Sequence, residues 1–230
     1  MAYRTYINGH EWLGNNVMYD EIYDELDKSL KESGIPKETL HRFVLKNYIA
    51  NEKWQAQIKN SIIEYLKDDN SNWLVLSGKT GVGKTHLCVA SFQYLIKNKY
   101  KKGQYISWNT FSIKMLALSK STYTDNQEKF EREINDICNV DVLYIDDLFK
   151  LTNNKYGNDE SVSLLYRIIN NRYLDKNKIT IISTELFEKQ IKELDEAIWG
   201  RIHERCFGGK YWLTIANENG RNYRAKNYEG

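Results

Sequence analysis

The chain has few of the residues that build covalent or metal-held frameworks. Its 230 residues include three cysteines, Cys88, Cys138 and Cys206, never in a C-x-x-C pair. Scattered and odd in number, they argue against a disulfide framework or a cysteine zinc site and for the reduced thiols of a cytoplasm. The histidines, His10, His41, His86 and His203, show no metal-ligand spacing. No run approaches the ~18 apolar residues of a membrane helix, and the start Met1-Ala2-Tyr3-Arg4 lacks a signal-peptide apolar core. The expectation is a soluble, cytoplasmic protein with no membrane partner. Neither charge dominates, with 33 Lys+Arg against 31 Asp+Glu. Nothing global demands a nucleic-acid partner, so any basic surface must be local. There is no internal repeat or low-complexity tract.

What is present begins with Gly78-Lys79-Thr80-Gly81-Val82-Gly83-Lys84-Thr85. This is G-x-x-x-x-G-K-[ST], the phosphate-binding loop. The apolar run Trp73 to Ser77 before it reads as a buried strand, and Leu87 to Ile96 after it as a helix. That order is what the chemistry needs, and it speaks against a chance glycine turn. Glycines let backbone N–H groups turn inward on phosphate oxygens, and the helix start adds its positive dipole end. Lys84 is placed to reach the β- and γ-phosphates of ATP or ADP, and the Thr85 hydroxyl to ligate Mg²⁺. His86, in the first helical turn, borders the same nucleotide loop and reads as packing rather than catalysis.

A second acidic motif follows. Val142-Leu143-Tyr144-Ile145-Asp146-Asp147 is an apolar strand ending in two acids. Asp146 suits a Mg²⁺ shell, and Asp147 suits orienting or deprotonating an attacking water. The plainer alternative is a strand capped by a solvated acidic turn.

The remaining pattern alternates. Met18, Ile22, Leu26 and Leu30 recur at helical spacing over Val17 to Lys31, opposite an acidic face. Ser33-Gly34-Ile35-Pro36, with the only proline, ends that helix. Helices are expected over 37–45, 51–67, 110–137 and 161–174 and from the fourth strand to about 205. Strands are expected over 104–108, 140–145, 179–183 and 211–215. Short apolar strands between helices imply an α/β fold, a parallel sheet of five strands sandwiched by helices. The division is 1–32 as an N-terminal helical appendage, 33–216 as the ATPase domain and 217–230 as a polar tail. The appendage either packs on the domain or docks a partner.

Four segments together resemble a known family. They are Gly78 to Leu87, Tyr144 to Leu148, Thr180 to Leu186 and Gly200 to Cys206. In this combination the chain is similar to the DnaC/DnaI-type helicase loaders of bacteria and their phages, which are AAA+ ATPases. The resemblance implies a module that binds ATP and Mg²⁺, engages a replicative DNA helicase and helps place it on single-stranded DNA. It also implies side-by-side self-association in which one subunit's arginine completes the next subunit's site. Matched by motif, that arginine is Arg201, with Arg205 in reserve. Such a finger gives roughly 10³–10⁵ in rate. The alternative for Arg201 is a surface pair with Glu196 or Glu204.

Three departures follow from the same comparison. Where the family ends its fourth strand in a small polar run and Asn, this chain has Ser183, Thr184 and Glu185. Glu185 accepts but does not donate when ionised and would repel the γ-phosphate. Either Thr184 takes the water-orienting role, or Glu185 pairs with a cation, or hydrolysis is slow. The residues after Arg205 are too few for a full helical lid, so a truncated or absent lid is expected. The N-terminal part carries no cysteine-rich zinc module. Other readings are a transposition helper ATPase, or an adaptor that binds nucleotide and barely hydrolyses it.

For DNA, three places interleave basic and aromatic residues as single-strand binding requires. One is Lys97, Lys99, Lys101 and Lys102 among Tyr94, Tyr100 and Tyr105. The others are Arg167 and Arg172 beside Tyr166 and Tyr173, and the loop 152–157. Lysines at a helix C-terminus also serve the dipole there.

Overall fold

The computed structural model describes residues 6–7, 10–11, 26–150 and 158–215. Its centre is a five-stranded parallel sheet. The strands are β1 (Leu74–Gly78), β2 (Gly103–Ser107), β3 (Val142–Leu148), β4 (Ile179–Thr184) and β5 (Trp212–Ile215). Their order is β2-β3-β4-β1-β5. Tyr6–Ile7 and His10–Glu11 form a separate short antiparallel pair. Leu74, Val75 and Leu76 of β1 and Val142 to Ile145 of β3 are buried on both faces. That is why these strands read as unbroken apolar runs rather than alternating ones.

The helices are α1 (Lys37–Arg42), α2 (Lys53–Lys67), α3 (Lys84–Lys99), α4 (Trp108–Ser119), α5 (Thr124–Asn139), α6 (Asp159–Leu174), α7 (Glu188–Leu194) and α8 (Glu196–Arg205). A 3-10 turn at Leu45–Asn47 separates α1 from α2. The predicted helix over 37–45 is thus a six-residue helix and a turn. The predicted strand 140–145 begins at Val142 and runs on to Leu148. Residues 26–32 are helical, and the rest of the expected Val17–Lys31 helix lies outside the described residues, as do the loop 152–157 and the tail from 216. The end of the 26–32 helix covers the outer edge of β2, where Tyr105 N–H donates to Ser33 O at 2.7 Å. This occupies an edge that would otherwise be open to pairing.

Two buried arginines tie the other end of the sheet. Arg172 is fully buried and donates to Thr180 Oγ1 and to the carbonyls of Ile137, Cys138, Val140, Asp141 and Ile179. Burial pushes its pKa down to about 10. It does not offer the DNA contact expected from its neighbouring tyrosines, because its guanidinium is spent on strand-entry carbonyls. Arg205 donates to the carbonyls of Ser71, Tyr173, Asp175, Lys176 and Lys178, and its guanidinium lies over Trp73. It is a structural tie rather than a reserve finger.

Candidate nucleotide site

The site forms at the carboxyl ends of β1, β3 and β4, where open α/β sheets bind ligands. The phosphate loop leaves β1 with Gly78 at φ +147°, Gly81 at +79° and Gly83 at +94°. A Cβ at Gly78 would stand 2.7 Å from Ile215 O, and one at Gly83 3.0 Å from the Tyr48 ring. Gly83 is the N-cap of α3, and no side chain caps that helix. Its first N–H groups are left for an anion. Val82 is buried and anchors the loop, while Lys79 and Thr80 are exposed.

Lys84 is 5% exposed and donates to Gly78 O at 2.7 Å and Lys79 O at 2.9 Å. The ammonium thus holds the loop by its own carbonyls. Burial lowers its pKa, opposed by the negative charges of Glu185 and Asp147. Glu185 is not among the residues that line the cleft, but its charge reaches Lys84. Thr80, Gly81, Thr85, His86, Asp147 and Lys150 line this cleft with Lys84. His86 Nε2 donates to Val44 O at 3.0 Å, and the ring stacks on Phe43. Burial, with Arg42 and Lys59 nearby, lowers its pKa. The cleft continues past Gly81, Gly83 and His86 into a second pocket bordered by Tyr48, Ile49 and Gln55.

Asp146 is held by hydroxyls. Tyr144 Oη donates to its Oδ1 at 2.6 Å, Ser183 Oγ donates to the same oxygen, and Tyr105 Oη donates to Oδ2 at 3.2 Å. Burial and the nearby Asp146 push the Tyr105 phenol well above the ordinary range, so it stays a donor. Tyr105 is spent on this carboxylate and is not a free stacking platform for bases. Its place at the strand register explains the clamp, since Tyr105 pairs with Tyr144 and Ser107 with Asp146.

Asp147 owes its direction to a bulge. The β3–β4 register shifts between Ile145 and Leu148. There Asp147 takes φ +52° and Phe149 +50°. Asp tolerates this conformation better than most residues. Asp147 N–H donates to Ser183 Oγ at 3.0 Å, and its Oδ2 accepts from Lys150 Nζ at 2.9 Å. Thr184 is fully buried, donating to Leu148 O at 2.8 Å and accepting Leu186 N–H at 3.0 Å. Its hydroxyl joins the ends of β3 and β4.

The donor set fits Mg²⁺. No group of three or more His, Cys, Asp or Glu able to hold a metal occurs among the described residues. Magnesium asks for less: one or two carboxylates, a hydroxyl, waters and the substrate's phosphates. Asp146, oriented by three hydroxyl donors, and Thr85 supply that set, and outer-shell bonds of this kind are what orient a metal ligand.

Arg201 lies elsewhere. It does not border the phosphate cleft of its own chain. Its guanidinium lies 5.1 Å over the Tyr166 ring and 5.7 Å from the Tyr173 ring, with Nη1 donating to Ala197 O at 2.9 Å. Its Nε is buried and has no hydrogen-bond partner among the described residues. Of the basic residues considered for DNA, Arg167 pairs with Glu131, Lys97 with Asp27 and Lys99 with Asp69.

Sequence reading missed Tyr105, Tyr144, Ser183 and Lys150. Tyr144 had a signal: two residues before Asp146 on a strand, it shares that residue's face. Ser183 is reached only through the β3–β4 register.

The family described as the bacterial DnaA ATPase domain matches residues 38–206. The uncharacterized protein YqaM of Bacillus subtilis strain 168 is 31% identical over 79% of this chain and 58% of its own length. The replicative helicase loader DnaC of Escherichia coli K12 is 26% identical over 88% of this chain and 77% of DnaC. The chain thus spans little more than half of YqaM and about three quarters of DnaC. In fold it is similar to the crystal structure of the DnaC helicase loader, at TM-score 0.58 and 20% identity over 79% of this chain and 100% of that one. AMPPCP-bound DnaA from Aquifex aeolicus gives TM-score 0.58 and 20% identity over 82% of this chain and 54% of that one. The chain belongs to the bacterial DnaA ATPase domain family, as an AAA+ member resembling the DnaC/DnaI-type helicase loaders.

Proposed function

We propose that this domain binds ATP with Mg²⁺ and acts as a helicase loader. In that role it engages a replicative DNA helicase and assists its placement on single-stranded DNA. The observation that carries the reading is the cleft joining Lys84, Thr85 and Asp147, in a chain whose relatives include a protein named as a helicase loader. Lys84 exchanges the carbonyls of Gly78 and Lys79 for phosphate oxygens, and the uncapped start of α3 receives the rest of the phosphate chain. The adjoining pocket at Tyr48, Ile49 and Gln55 takes the base. Thr85 and Asp146 hold Mg²⁺, which neutralises phosphate charge when bound. Asp147 orients the attacking water. Arg201 acts in trans, its guanidinium leaving the Tyr166 and Tyr173 rings for the neighbour's phosphate.

A second reading is favoured by two observations. Asp147 is ion-paired to Lys150, and Glu185 stands beside Lys84's charge. Both oppose fast turnover, which suits an adaptor that binds nucleotide and hydrolyses it slowly. The test is capture of purified replicative helicase by this protein with and without ATP, alongside multiple-turnover phosphate release. Lys84→Ala is expected to abolish nucleotide binding and ATP-dependent capture, and Asp147→Asn to retain binding and lose hydrolysis. Unchanged turnover in both variants would sink the ATPase reading. Capture without measurable turnover in the wild type would favour the adaptor.

A further inference from the structure

Lys150 is a cation in the phosphate cleft that no phosphate-loop motif requires. The turn that brings it there is unusual, with Asp147 and Phe149 both at positive φ and Lys150 N–H donating to Asp147 O at 3.0 Å. Phe149 is nonetheless 4% exposed and packs edge-on against Trp108. A bulky residue at positive φ persists only where the surroundings fix it. The turn is therefore anchored, and it returns the Lys150 ammonium to Asp147 Oδ2 at 2.9 Å. Lys150 borders the cleft with Thr80, Lys84 and Thr85. Its positive charge is felt at Lys84, beside the opposing charges of Asp147 and Glu185.

Three cations, Arg42, Lys84 and Lys150, thus face one carboxylate, Asp147, along the cleft, with the charge of Glu185 also reaching Lys84. A polyphosphate alters that balance. Asp147 offers Lys150 one negative charge at a half-exposed surface, whereas a terminal phosphate offers more charge and several acceptor oxygens. The lysine stem is flexible and its ammonium is a point donor, so it changes partner without backbone movement.

We propose that Lys150 is a second phosphate-binding lysine of this site, held on Asp147 when nucleotide is absent and transferred to the terminal phosphate when a triphosphate binds. The transfer frees the Asp147 carboxylate to accept a hydrogen bond from water. Lys150 then discriminates a triphosphate from a diphosphate, because only the former carries the phosphate nearest Asp147. This rests on the reading of the cleft as an ATP site.

The test is the affinity of wild type, Lys150→Ala and Lys150→Arg for a non-hydrolysable ATP analogue and for ADP, measured by calorimetry with Mg²⁺ present. Lys150→Ala is expected to weaken the analogue about tenfold or more, the size of one charge-assisted hydrogen bond, and to leave ADP within about twofold. Lys150→Arg is expected to restore most of the preference. Equal loss for both nucleotides, or no loss for either, overturns the proposal while the ATP-site reading stands. Failure of the wild type to bind either nucleotide overturns that reading itself. Faster hydrolysis by Lys150→Ala with unchanged analogue affinity likewise overturns the Lys150 proposal and not the ATP-site reading, since Lys150 would then only restrain Asp147.

Discussion

Ser183→Ala removes the hydroxyl on which both acidic residues depend. Ser183 Oγ donates to Asp146 Oδ1 and accepts Asp147 N–H at 3.0 Å, with Ser183 fully buried. Loss of a hydrogen bond to a charged group costs about 1.5–3 kcal/mol, and an unsatisfied buried N–H about 1–3 kcal/mol. Tyr144 still serves Oδ1 at 2.6 Å, which holds the sum to about 2–4 kcal/mol. For a chain of this size each kcal/mol lowers Tm by ~2–4 °C, so a fall of roughly 4–16 °C is expected. The carboxylate keeps its charge but loses one of its three hydroxyl donors and is less firmly oriented. Outer-shell losses of this kind weaken metal affinity or activity by about 10–100-fold. Thermal melts without nucleotide read the first effect. Titration of Mg²⁺ against binding of a fluorescent ATP analogue reads the second. Tyr144→Phe is the companion variant, removing one donor to Asp146 while keeping the ring against Tyr105 and Phe92. A Ser183→Ala protein that melts with the wild type and needs no more Mg²⁺ would refute the clamp.

Two further outcomes are expected. Arg172→Met leaves the carbonyls of Ile137, Val140 and Ile179 without their donor; a loss above ~4 kcal/mol, read by urea denaturation, is expected, and a loss under ~1 kcal/mol would contradict the tie. His86 has its pKa lowered by burial, so the folded state binds its proton less readily than the unfolded chain. Its contribution to stability is then lost as pH falls below the unfolded value of about 6.5. His86→Gln is expected to flatten the decline in Tm between about pH 7.5 and 5.5; parallel declines in the two proteins would count against it.

The phosphate loop and the paired acids were legible because glycine spacing and apolar strands are local signals. The sheet followed from the same runs. What was not legible came from register. Asp147's direction depends on a bulge against β4, and no local pattern marks it. The two arginines were legible in part. Leu165, Ile168, Ile169 and Arg172 follow the i, i+3, i+4, i+7 spacing of one helix face, and Ile198, Ile202 and Arg205 the i, i+4, i+7 spacing of another. An arginine on an apolar stripe is a buried arginine. The neighbouring tyrosines drew attention to nucleic acid instead.

Gly78 and Ile215 meet where a methyl group would not fit. Along the chain these residues are far apart, and in space they are neighbours on adjacent strands, paired Gly78 to Ile215. The first residue of the phosphate loop and the last described residue of the sheet are therefore packed backbone against backbone. Any side chain at position 78 would push β5 away from the loop, so one contact sets both the geometry of the phosphate loop and the place of the sheet's last described strand.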